Sequence, residues 1–150
     1  MNSIDLQKMR ERIRDRHITS LWAELRGAIV ELVESHNDSY GHSADEHSFG
    51  NSSIIVTKDE GLHADGFHSI LKTTQLAIDG RKWRISGVTA TQLVRDGKST
   101  PFGKPAPFSL TIEADVEKGS LYIVDENGSR LTALQAAENH VGAMLLGKTE

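Results

Sequence analysis

Histidines are the residues of this chain with the most evident chemistry, and three of the seven lie in the stretch HNDSYGHSADEHSFGN at residues 36–51. Imidazole and carboxylate groups are ligands for zinc and similar ions. The stretch carries three of each kind: His36, His42, His47, Asp38, Asp45 and Glu46. Ser, Asn and Gly fill most of the remaining positions, which is typical of a solvated connection. The composition favours the connection, and a ligand-bearing loop is the alternative.

A sharper pair of histidines occurs in HADGFH at residues 63–68. If Asp65-Gly66 forms a two-residue hairpin turn, His63 lies opposite His68 with Cβ atoms about 4.5–5.5 Å apart. Two imidazoles at that distance could chelate a metal, but zinc usually takes three or four protein ligands. The candidate metal ligands are therefore His63 and His68, completed by His42 and His47. The alternative is a pair of exposed histidines at a hairpin tip.

Other routes to catalysis have little support in the sequence. The chain has no cysteine, which excludes thiolate chemistry and disulfides. It contains no G-x-S-x-G nucleophile turn and no glycine-rich phosphate-binding motif. Glu113, Asp115 and Glu117 alternate along one strand face, as expected for a solvated surface. No cofactor is predicted, and whether the protein is an enzyme stays open, with the balance against it.

Length and charge place limits on the class of protein. A chain of 150 residues predicts one domain over residues 1–150. The net charge is −4, although residues 1–17 form a basic arm rich in Arg and Lys. That arm has no aromatic residue for base stacking and carries acidic residues between the basic ones, so a nucleic acid is not expected as partner. No apolar run suits a signal peptide or a membrane span, which predicts a cytoplasmic protein without membrane contact.

Residues 3–36 have the periodicity of an amphipathic helix. The main apolar stripe has the i, i+3, i+4, i+7 spacing: Ile18, Leu21, Trp22, Leu25, Ala28, Ile29, Leu32 and Val33. A shorter stripe, Leu6, Met9 and Ile13, is out of phase with it by about 140° at 100° per residue. Either the helix is continuous with two faces, or it breaks near residues 17–20. In both cases the short stripe is a candidate interface with a partner or a second copy.

Beyond a polar loop at residues 36–52 the period changes to two. Asp65-Gly66, Asp79-Gly80 and Lys118-Gly119 predict two-residue hairpin turns. Their positions predict these cross-strand pairs: Ile55 with Leu76, Asp59 with Lys72, Thr74 with Ile85, and Leu76 with Trp83. The Pro- and Gly-rich residues 97–107 predict a loop. Residues 108–116 alternate cleanly between apolar and polar and predict a half-buried strand.

The C-terminal residues predict a second helix, because Thr132 and Gln135 have capping-box spacing and Gly147 suits a helix end. The predicted fold is α+β in two layers: a long N-terminal helix, an antiparallel meander of about five strands, and a C-terminal helix. Such an order does not select a function. The leading hypothesis is a non-enzymatic protein-interaction or accessory domain, with a homodimer as one form of it. The alternative is a small-ligand or metal-binding protein, with an enzyme as one form of it and its site near residues 36–51 and the His63/His68 hairpin.

Overall fold

The computed structural model describes residues 2–147. Met1 and residues 148–150, which belong to the predicted domain 1–150, lie outside the described residues. The fold combines a long N-terminal helix, a curled antiparallel sheet that forms a half-barrel, and short C-terminal helical segments. The α+β class expected from the sequence is therefore confirmed.

The first element is one continuous helix, α1, spanning Ser3–Tyr40. The Asn2 side chain caps its start by accepting a hydrogen bond from the Asp5 N–H at 2.9 Å. Gly41 ends it with a left-handed φ of 82°. The alternative of a break near residues 17–20 is wrong, because Thr19 and Ser20 stay within the helix instead of capping a new one.

Within residues 2–147 the sheet has eight strands, not about five. Their bounds are β1 Ala44–Phe49, β2 Ser53–Leu62, β3 Ser69–Asp79, β4 Arg84–Arg95, β5 Lys98–Pro101, β6 Ala106–Asp115, β7 Ser120–Val124 and β8 Arg130–Leu131. Their order is β1-β2-β3-β4-β6-β7-β8, with β5 attached to β4. The polar loop expected at residues 36–52 is wrong, since α1 extends to Tyr40 and β1 pairs along the whole start of β2.

Strand β4 is long enough to hold two neighbours on the same edge. Its first half, Arg84–Thr89, pairs with β6, and its last four residues pair with β5. The loop expected at residues 97–107 therefore contains a short strand. Pro101 ends that strand at the sheet edge, where a missing N–H costs no ladder hydrogen bond.

All three predicted hairpins exist, but the two-residue turns are wrong, because each has four residues between its last paired positions. In two of them an aspartate ends the strand and its carboxylate accepts backbone N–H groups of the turn. Asp79 accepts from Arg81 and Lys82, and Asp115 accepts from Lys118. The aspartate thus begins a longer turn rather than occupying its centre.

The longer turns change the strand register. Leu76 pairs with Gly87 instead of Trp83, and Ile85 pairs with Ile78 instead of Thr74. Between β2 and β3 the predicted register holds at the tip, where Leu62 faces Ser69. A shift between Asp59 and Gly61 then moves the remaining pairs by one residue. As a result Leu76 faces Ile54 rather than Ile55, and Lys72 faces Lys58 rather than Asp59.

One face of the sheet, here called the inner face, carries the core. Its fully buried side chains are Ile54, Val56, Leu76, Ile85, Leu110, Ile112 and Ile123. They pack against Trp22, Leu25, Ile29 and Val33 of α1, as the main stripe predicts. Strand β6 alternates as expected, with Leu110 and Ile112 buried.

The C-terminal segment consists of α2 (Ala133–Ala137), a π-helical turn (Glu138–Gly142) and α3 (Ala143–Leu145). The predicted capping box is confirmed, with Thr132 Oγ1 accepting from the Gln135 N–H and Gln135 Oε1 accepting from the Thr132 N–H. Ala136, Ala137, Val141, Met144 and Leu145 pack into the same core as α1. The helices thus cover the inner face of the sheet.

Gly87 leaves space for an aromatic ring on the inner face. A Cβ at this position would lie 2.1 Å from Cζ of Phe108, which is the cross-strand neighbour of Gly87. The Phe108 ring also stacks on the His140 imidazole at 3.8 Å between centroids and 7° between planes. The ring therefore packs against both a glycine backbone and a histidine of the π-helical turn.

This packing predicts that Gly87→Ala destabilises the protein. The added methyl group must displace Phe108 and its stack with His140, at a cost of about 1–3 kcal/mol. Gly27→Ala is the matched control, since nothing lies within 4 Å of its Cβ and its position is inside α1. That control should stabilise by about 0.5–1 kcal/mol. Urea unfolding followed by circular dichroism measures both, and an unchanged midpoint for Gly87→Ala would contradict the packing argument.

Candidate functional site

The predicted histidine pair is assembled at the β2–β3 hairpin tip. The His63 N–H donates to the His68 carbonyl at 2.8 Å, so the two residues are paired. Asp65 lies between them, with Oδ2 at 2.6 Å from His68 Nδ1 and Oδ1 at 3.5 Å from His63 Nδ1. Hydrogen bonds from the N–H groups of Phe67 and His68 hold the pKa of the Asp65 carboxyl well below its usual range. The carboxylate therefore serves as the organising acceptor of this turn.

The other two candidate ligands have different neighbours. His42 Nε2 lies 3.2 Å from Asp45 Oδ1, and the His47 ring meets the edge of Phe49 at 4.6 Å. Within residues 2–147 no three His, Asp or Glu side chains form a group that could hold a metal ion. The metal site at His63, His68, His42 and His47 stays a prediction. The structure brings His63 and His68 together but gives His42 and His47 other neighbours.

The short stripe of α1 lies against the β6–β7 end of the sheet. Leu6, Met9 and Ile13 are each half-buried. Leu6 borders an open cavity of about 600 Å³ together with Trp83 and Tyr122. Met9 and Ile13 border a second one of about 270 Å³, beside Val116 and Gly119. The chain thus covers part of the predicted interface itself and leaves the rest open to solvent.

The polar part of the inner face forms a candidate binding site, here called the inner cavity. It is a space of about 460 Å³ between β3, β4, β6 and the π-helical turn. Its hydrogen-bonding side chains are Lys72, Thr89, Thr91, Lys104, Asn139 and His140, and Phe108 contributes an apolar wall. Both charged residues among its lining are lysines, although the chain as a whole is acidic.

A shared carboxylate positions Lys72, which borders this cavity, and Lys58, which lies opposite Lys72 on β2. Glu60 Oε1 lies 3.1 Å from Lys58 Nζ and 3.6 Å from Lys72 Nζ. Lys58 also donates to the carbonyl of Leu145 at the end of the C-terminal segment. Two cations on one carboxylate leave this part of the inner face with a positive charge.

The strand positions around the lysines are held by hydroxyl groups. Thr74 is fully buried, and its Oγ1 lies 3.0 Å from Oγ1 of Thr89 across β3 and β4. This bond satisfies a polar group that would otherwise be costly to bury. The cavity wall is therefore fixed before any ligand arrives.

The π-helical turn supplies the remaining polar groups. Such turns are rare and occur often at functional sites, because the wider backbone redirects side chains. Here the turn carries Asn139 and His140 to the cavity wall. Burial lowers the pKa of the His140 imidazole, and the carboxylates of Glu126 and Asp125 partly oppose that shift. His140 is accordingly neutral near pH 7.

Histidine spacing does not reveal this site, because its residues are far apart in sequence. The strand sequences do contain a signal for this site. The inner-face alternation of Ile54 and Val56 continues to Lys58, and that of Leu76 continues through Thr74 to Lys72. Lysines in register with core positions of strands are unusual, since Lys is rarely buried without a partner.

No protein-family model, curated protein or solved structure matched the chain. Among the helices of residues 2–147, none has the length and apolar character required to cross a membrane. Any functional conclusion therefore depends on the site itself.

Two imidazoles, one buried and one half-buried, make stability depend on pH. Burial lowers the pKa of His36 and of His140 below the ordinary value of 6.5. The unfolded chain therefore binds protons that the folded chain does not, and stability is lost as pH falls below about 6.5, by at most about 1.4 kcal/mol per pH unit for each group. Urea unfolding from pH 7.5 to 5.5 measures this loss. The double variant His36→Gln/His140→Gln should reduce the slope, and an equal slope would contradict the assignment.

Proposed function

We propose that this protein is a binding domain for a small acidic molecule, which occupies the inner cavity. The observation that carries the proposal is the charge of the lining: Lys72 and Lys104, with no carboxylate among the described residues that border the space. In a chain of net charge −4, an anion is attracted to this place and repelled from much of the remaining surface.

The size and composition of the cavity support the same assignment. Its volume of about 460 Å³ lies within the roughly 300–1,000 Å³ usual for small-molecule sites. Thr89, Thr91 and Asn139 offer hydrogen bonds, while Phe108 and Pro107 offer apolar contact. The ligand that these groups suit is a carboxylic or phosphoric acid with a compact apolar part.

Preorganisation also supports the proposal. Glu60 holds Lys72 in place, so its ammonium group loses little side-chain entropy when an anion arrives. Lys58 is a second partner of Glu60, so that carboxylate stays neutralised while the Lys72 ammonium contacts a ligand with its remaining donors. The site can therefore accept negative charge without leaving an unpaired carboxylate in the half-buried network.

The test uses small probes of known charge. Benzoate and inorganic phosphate should shift the amide resonances of β3, β4 and residues 138–143, and uncharged benzamide should not. Lys72→Ala and Lys104→Ala should each weaken binding about tenfold or more, since each removes a charge-assisted hydrogen bond of about 1.5–3 kcal/mol. Lys118→Ala, in the β6–β7 turn, is the matched control.

Equal shifts with benzoate and benzamide, or unchanged affinity in both lysine variants, would contradict the proposed function. A loss of affinity with rising salt concentration should accompany binding, because part of the attraction is electrostatic.

The second candidate is the interaction domain expected from the sequence. It is supported by the open cavities beside Leu6, Met9 and Ile13, which a partner or a second copy could fill. Light scattering at high micromolar concentration tests self-association. A dimer should dissociate in Met9→Asp and persist in Leu62→Asp, which changes an exposed leucine at the opposite hairpin. A monomeric full-length chain would contradict the dimer.

A further inference from the structure

A second group of reactive side chains meets where α1 ends. Ser43 Oγ lies 3.3 Å from His36 Nε2, and both residues border a small cavity of about 240 Å³ together with Lys58. We propose that Ser43 is a nucleophile that accepts the acyl group of a small ester, with His36 as its general base and Lys58 as the cation that stabilises the developing negative charge. This site is separate from the proposed function of the inner cavity.

The backbone around Ser43 is fixed by one side chain of α1. Asn37 Oδ1 accepts hydrogen bonds from the N–H groups of Ser43 and Ala44 at 3.2 and 3.1 Å. Asn37 Nδ2 donates to the Ala44 carbonyl at 2.8 Å. The hydroxyl of Ser43 is therefore presented from a rigid connection, as a nucleophile requires.

His36 has the properties of a general base. Its side chain is buried, with an exposed fraction of 9% for the residue. Burial and, secondarily, the nearby Lys58 ammonium lower the pKa of its imidazole, so the neutral, proton-accepting form is present at pH 7. The Tyr40 ring packs against it at 5.1 Å between centroids and restricts its orientation.

The Ser43–His36 pair differs from a complete Ser-His-Asp triad. His36 Nδ1 is buried without a hydrogen-bond partner among the described residues. No carboxylate of residues 2–147 bonds to it directly, but the charge of Glu60 favours its protonated form from a distance. The acyl transfer is expected to be slow for this reason, because the imidazolium that forms has only indirect compensation.

Lys58 can supply a donor to the reaction. An ammonium group carries three N–H donors. One bonds to the Leu145 carbonyl and one faces Glu60 Oε1. The third has no partner among the described residues and is available to the oxyanion of a tetrahedral intermediate, which is the role of an oxyanion-hole donor.

The proposed step balances as an acyl transfer. Ser43 Oγ forms a bond to the ester carbonyl carbon while its proton passes to His36 Nε2. The carbon–oxygen bond to the leaving alcohol then breaks, and His36 returns the proton to that oxygen. Water releases the acid from Ser43 by the reverse sequence.

The walls of the cavity indicate the substrate class. Leu145, Leu146 and Tyr40 make the space largely apolar beyond the reactive groups. At about 240 Å³ it suits a short aliphatic acyl chain rather than a peptide. Short-chain esters of a good leaving alcohol are accordingly the appropriate probes.

The first test measures acylation by p-nitrophenyl acetate and p-nitrophenyl butyrate. Intact-protein and peptide mass spectrometry after acid quenching should place one acyl group on Ser43. Ser43→Ala should lose it, and His36→Gln should slow it by about a hundredfold. Ser53→Ala is the matched control, because the Ser53 hydroxyl bonds to the Phe49 carbonyl rather than to an imidazole. Acylation at other residues only, or none at all, would overturn the proposal.

A second test does not depend on turnover. The chain has no cysteine, so Ser43→Cys creates a single thiol in the same position. Its alkylation by iodoacetamide at pH 7 should be at least about tenfold faster than that of Ser53→Cys, because an adjacent base and cation favour the thiolate. Adding His36→Gln to the Ser43→Cys variant should remove this difference in alkylation rate. Equal rates in the first two variants would show that His36 does not activate this position and would also overturn the proposal.

Discussion

The ammonium group of Lys58 joins the sheet to the C-terminal helical segment. It extends from β2 at the point where the apolar inner face ends, and it binds both the Leu145 carbonyl and Glu60. The first contact satisfies the carbonyl of Leu145, the last residue of α3, and a cation is favourable at a helix C-terminus. The second brings Glu60 within reach of Lys72. One residue thereby fixes the segment that closes the core and orients the charges of the inner cavity.

Several parts of the structure were predictable because local patterns decide them. The stripe from Ile18 to Val33, the alternation of β6 and the Thr132 capping box depend on residues close in sequence, and all three are observed. Strand β1 was not predictable in this way. Five of its six residues are exposed, so its pairing comes from the edge of β2 and leaves little hydrophobic pattern.

The register error between β3 and β4 has one physical cause, whereas the error between β2 and β3 comes from the shift at Asp59 and Gly61. The Asp79-Gly80 pair predicts the centre of a two-residue turn. In the β3–β4 hairpin, Asp79 instead ends the strand and caps the turn that follows. This lengthens the turn, and Trp83 closes it with a left-handed φ of 54°. A bulky residue in that conformation is hard to anticipate, because only its tertiary contacts, such as the Arg14 guanidinium 5.2 Å from its ring, compensate for the strain.

The candidate sites follow from how the helices cover the sheet. The apolar side chains of α1 and the C-terminal segment bury one part of an eight-stranded inner face, and the lysines and threonines occupy the part that remains. The inner cavity could not be found from spacing, since Lys72, Lys104 and His140 come together only after the sheet curls. The two cavities also share a support: Lys58 borders the Ser43 cavity directly and reaches the inner cavity through Glu60. Charge added at either cavity must therefore act on the same carboxylate, which couples them electrostatically without any movement of the backbone.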